Sequence, residues 1–123
     1  QAARLQRTEL ALALTAREGL RIDLDDAAFW LEKQLAQPPR PGTTRVIMHT
    51  IVWPYMPKET QSRIEDLLDR LGAEATADTP LARISIEPDE TPGSARVDLS
   101  LWPARETITL ARMDFHGRWT EWM

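Results

Sequence analysis

At 123 residues the chain has room for one domain and not for two of ordinary size. Hydrophobic residues make up 42% and charged residues 28%, the balance of a globular chain rather than a disordered tail. A net charge of −4 supplies no basic face for nucleic acid, and the lack of cysteine excludes disulfides, thiolate catalysis and Cys-ligated metals. No apolar run is long enough to span a bilayer and no signal-peptide pattern opens the chain, so a cytoplasmic location without membrane contact is expected.

Residues 1 to about 17 are strong helix formers whose leucines cover more than one narrow stripe, which predicts contact on two sides. Gly19 ends that helix, and Leu20-Arg21-Ile22-Asp23-Leu24 alternates like a short strand or extended link. Asp25 reads as the N-cap of a second helix running to about Gln37, with Leu24 and Phe29 as a hydrophobic staple. The Pro/Gly-rich loop at 38–42 stops it.

Arg45 to Val52 follows, β-branched and uncharged through its middle, and reads as a central strand buried on both faces. It ends in Trp53-Pro54-Tyr55-Met56-Pro57, where an open α/β sheet places its ligands. A third helix carries Ile64, Leu67, Leu68 and Leu71 on one stripe and closes at Gly72. Leu81 to Glu87 is a second strand, and strand, helix, strand over this distance predicts a parallel βαβ unit. Beyond residue 88, tight turns separate short alternating segments at 95–101, 107–113 and 118–122, which read as antiparallel neighbours. The expected architecture is therefore a single α/β domain over 1–123. Its mixed sheet is parallel first and antiparallel at the end, with helices packed on it.

The strings Met48-His49-Thr50-Ile51-Val52-Trp53-Pro54-Tyr55-Met56-Pro57, Leu71-Gly72-Ala73, Pro80-Leu81-Ala82-Arg83 and Leu99-Ser100-Leu101-Trp102-Pro103 resemble the C-terminal part of a bacterial family, the domain of unknown function numbered 2332. The closing Phe115-His116-Gly117-Arg118-Trp119-Thr120-Glu121-Trp122 resembles it most distinctively. The resemblance implies a longer protein with an N-terminal half ahead of these residues, and it brings no established activity. The order of elements is also similar to the C-terminal half of a Rossmann-like methyltransferase, an analogy of fold alone. The chain has no G-x-G turn of the kind that receives S-adenosylmethionine, so no cofactor is expected on it alone, and that one only if a Gly-rich half is supplied.

His49 and His116 are the only histidines. His49 reads either as a neutral sheet histidine or as a general base near the strand's carboxyl end, and His116 as a turn residue. Without H-x-x-x-H spacing or thiols, no metal site is expected. Asp25 serves as a helix cap or as a carboxylate at a strand end, and Glu87 points toward the same presumed crevice. No nucleophile motif is present. The candidate ligand-binding residues are therefore His49, Trp53, Tyr55, Glu87 and Asp25. Trp102 should face away from the layer of Val97, Leu99 and Leu101, Trp119 and Trp122 should point to opposite faces, and at least one large aromatic should lie on the less buried face or at an edge.

Two function classes follow. One is a Rossmann-like, methyltransferase-related protein with a small-molecule pocket at the strand carboxyl ends. The other is a non-catalytic self-association or protein-interaction module, which pairs as a homodimer or with the missing N-terminal half.

Overall fold

A computed structural model describes residues 1–123. Three helices, α1 (Ala2–Glu18), α2 (Ala27–Leu35) and α3 (Lys58–Glu74), accompany one five-stranded sheet. Its strands are β1 (Arg45–Thr50), β2 (Leu81–Pro88), β3 (Ala95–Trp102), β4 (Glu106–Met113) and β5 (Thr120–Trp122). Their order in space is their order in sequence. β1 and β2 are parallel, joined through α3, and every later pair is antiparallel, as the α/β reading anticipates.

The register sorts side chains to two faces. One carries Ile47 and Leu81, which pack with Ala28 of α2 and with Ile64 and Leu68 of α3 to form the core. Trp102 joins this cluster, so it does face away from Leu99 and Leu101. Its indole lies so close to Gly72 that a Cβ there would overlap it. Gly72 therefore sits inside α3, two residues before its end, and serves helix-to-sheet packing rather than helix termination.

The opposite face is apolar across the sheet. Met48, Ile84, Leu99 and Ile108 stand in one row, and Thr50, Ile86, Val97, Ala111 and Trp122 in the next. The helix residues of the core pack against the other face.

Four expectations need correction. β1 is the edge strand and not the centre of the sheet; Val46 and Met48 are 56% and 60% exposed. Its apolar run lines an open cleft and the uncovered face instead of two helix layers. α1 makes no contact on two sides, since none of its residues is buried. Asp26, not Asp25, caps α2, because only its carboxylate reaches both the Phe29 N–H (3.0 Å) and the Thr60 hydroxyl of α3 (3.1 Å). The Phe29 bond holds the Asp26 carboxyl below the usual carboxylate range. Leu24 stays fully exposed and forms no staple with Phe29, and residues 20–24 form an extended link.

Candidate functional site

Between α2 and the free edge of β1 lies a cleft of about 370 Å³, within the range of small-molecule pockets. Its walls are mostly apolar: Trp30, Leu31 and Leu35 from α2, and Val46 and Met48 from β1. Arg45 and Ile51 donate their N–H groups to the carbonyls of Pro80, just ahead of β2, and of Ile86 in β2. In a parallel ladder the alternate residues Val46, Met48 and Thr50 then turn their backbone groups to the unpaired side.

His49, Trp53 and Arg83 close the cleft's polar end. His49 Nδ1 lies 2.7 Å from Glu87 Oε1, and the Arg83 Nε–H donates to His49 Nε2 at 2.9 Å. An ionised carboxylate only accepts and a guanidinium only donates, so the proton sits on Nδ1 and the ring is neutral. The Val52 N–H reaches the same Glu87 oxygen at 3.2 Å, while Glu87 Oε2 is buried without a hydrogen-bond partner. Arg83 continues the network to Glu65 at 2.8 Å and lies 4.5 Å over the Trp53 ring. Trp53 in turn stacks on His49, with ring centres 5.2 Å apart. Both imidazole nitrogens are therefore engaged. His49 ties β1 to β2 and positions Arg83.

Between His49 and Trp53 the backbone of Ile51 takes a φ of 48°. A β-branched residue in the left-handed region costs roughly 1–3 kcal/mol, and such strain gathers at ligand clamps and active sites.

Of the five residues singled out in the sequence, His49, Trp53 and Glu87 come together here. Tyr55 is 80% exposed and lies outside the cleft lining, as does Asp25, which sits in the exposed link ahead of α2. Arg83 and Trp30 complete the site and were not among them. The signal for Arg83 was available: it shares strand parity with Glu87 and lies on the face that the parallel register gives His49. Trp30 carried no comparable signal, because its place depends on α2 standing beside an edge strand.

The remaining histidine belongs to a separate turn. Asp114, 3% exposed, accepts the backbone N–H groups of His116 and Arg118 and is held by the Arg118 guanidinium at 2.7 Å. That side-chain bond, with the backbone bonds, depresses the Asp114 carboxyl far below its ordinary value. A depressed carboxylate contributes stability in full above its unfolded pKa of about 4, and the contribution fades as pH falls toward the folded value. Asp114→Asn is expected to flatten the acid limb of the urea midpoint between about pH 5 and pH 2. An unchanged acid limb would show that this turn carries no proton linkage.

The chain's five glycines are all accounted for. Gly19, Gly42, Gly93 and Gly117 have positive φ, and Gly72 lies against Trp102. None stands where a strand leads into a helix. No helix is long and apolar enough to cross a membrane. A family model described as "Uncharacterized protein conserved in bacteria (DUF2332)" matches residues 1–122. No curated protein and no solved structure matches the chain.

Proposed function

The chain belongs to this bacterial family, and on that premise we propose that it is a Rossmann-like, methyltransferase-related part that binds a small molecule between α2 and β1. The observation that carries the reading is the cleft itself. An apolar wall about the size of a small ligand ends in one polar clamp at the carboxyl end of a parallel strand. Trp30 and Trp53 supply flat apolar surface. Arg83 is the group that would touch a ligand's carbonyl or anionic oxygen, and its Glu65 partner is half-exposed and can be displaced. Glu87 and His49 hold Arg83 in place and are positioning residues. The parallel βαβ unit followed by antiparallel strands supports the methyltransferase-related part of the reading.

S-adenosylmethionine does not fit these residues in the usual way, since no glycine lies at a strand-to-helix turn to admit its backbone-hugging end. On this reading the chain alone binds no cofactor, and S-adenosylmethionine requires a Gly-rich half supplied from elsewhere.

The test is a titration with indole, adenosine, S-adenosylmethionine and its demethylated product, following the tryptophan indole N–H resonances. Shifts at Trp30 and Trp53 that disappear in Arg83→Gln or Trp30→Ala are the expected result for at least one probe. If no probe at millimolar concentration moves those signals, the cleft is not a ligand site. Calorimetric binding of S-adenosylmethionine by the chain alone would overturn the cofactor assignment.

A further inference from the structure

The accessible surface of the chain is 9119 Å². A compact monomer of 14.0 kDa exposes about 6,700 Å² by the usual scaling of surface with mass. The excess of about 2,400 Å² exceeds the roughly 800 Å² that each partner contributes to a standard interface and reaches the obligate range. Part of it is α1 and the extended link at 20–24. The rest includes the sheet face opposite α2 and α3.

That face has the makeup of an interface between copies. Across β1 to β4 it offers Met48, Ile84, Ile86, Leu99 and Ile108, with Trp122 of β5, 74% exposed, at its margin. Glu106, opposite Leu101 in the adjoining row, is the one acidic residue that the strands place on this face. A chain of net charge −4 repels its own copies over most of its surface. A two-fold contact sets the same patch against itself, so a charge near the axis would face its own copy. A nearly charge-free apolar sheet escapes that penalty. Two such faces pack at about 10 Å with their side chains interdigitated, as in a sandwich. An acidic or basic partner would find no complementary charge here.

We propose that this sheet face is the contact of a two-fold dimer of the chain, sheet against sheet, bordering the cleft between α2 and β1 only along the β1 edge, where Met48 belongs to both. The occupant is a second copy, and α1 is not part of the seam.

Sedimentation velocity on the full chain over a wide concentration range tests it. The wild type is expected to sediment with twice the chain mass. Ile108→Glu and Trp122→Glu, at positions 39% and 74% exposed, are expected to weaken the dimer at least about thirtyfold while keeping the wild-type far-ultraviolet circular dichroism. Tyr55→Glu, at an exposed position off this face, should leave the mass unchanged. A wild-type monomer at all concentrations overturns the proposal. So does a dimer that survives both sheet variants, or one that Leu12→Glu in α1 dissociates while they do not. Should both sheet variants lose their circular dichroism, Met48→Gln, which keeps an uncharged side chain of similar length at an exposed position, must still weaken the dimer, and an unchanged mass there overturns it.

Discussion

Glu87→Ala is expected to cost about 2–4 kcal/mol of folding stability, among the largest losses for a single side chain in this molecule. The residue accepts the His49 ring N–H and the Val52 N–H on one oxygen, and its side chain is 13% exposed. Truncation strands two donors in a poorly hydrated place and releases the imidazole that holds Arg83. Glu87→Gln separates hydrogen bonding from shape. Its amide oxygen can keep both donors, while its NH₂ takes the place of Oε2, which has no partner to receive it. A loss of about 1 kcal/mol is expected for glutamine, so the two variants should rank clearly. Urea midpoints read both. A loss below about 0.5 kcal/mol for alanine would mean that the clamp contributes nothing to the fold.

Gly72→Ala is the second large effect, and its sign is the informative part. Inside a helix this change ordinarily stabilises, by about 0.5–1 kcal/mol, because glycine has more chain entropy to lose. Here the added methyl meets the Trp102 indole at its Cδ1, Nε1 and Cγ, so α3 must lift from the sheet or Trp102 must leave its rotamer. Overpacking of that kind costs about 1–3 kcal/mol. Thermal denaturation should show a fall in Tm, with Trp102→Leu restoring part of it in the double variant. Purely additive losses would show that the two residues do not share the strain. A rise in Tm for the single variant would place the indole elsewhere.

The parts of the fold written in local pattern were legible in the sequence. The stripe of Ile64, Leu67, Leu68 and Leu71 marked α3, and the alternation from Ala95 onward marked the meander, because both signals come from neighbours along the chain. The position of β1 in the sheet was not legible. A run such as Val46-Ile47-Met48 is apolar whether helices cover both its faces or an open cleft and a bare sheet face share it. Only the spatial order of strands decides between those. The capping error has a similar source. Asp25 and Asp26 are chemically equal on paper, and the Thr60 hydroxyl, thirty-four residues away, distinguishes them. For the site, His49, Trp53 and Glu87 were found through their places at strand ends. Tyr55 shared that place without sharing the direction, since the 3₁₀ turn at Trp53–Tyr55 rotates successive side chains away from one another.

β1 is also the one strand whose neighbour in the sheet is remote in sequence. β2, β3 and β4 are joined by short turns, so their pairing closes small loops, whereas the His49–Glu87 contact spans 38 residues. Closing the longer loop costs more chain entropy and depends on α3 already folding back. By loop-closure entropy alone, β1 is the strand expected to join the sheet last. The hydrogen bonds from Glu87 through His49 to Arg83 then act as the latch on that final step. The cleft comes into being when the latch closes.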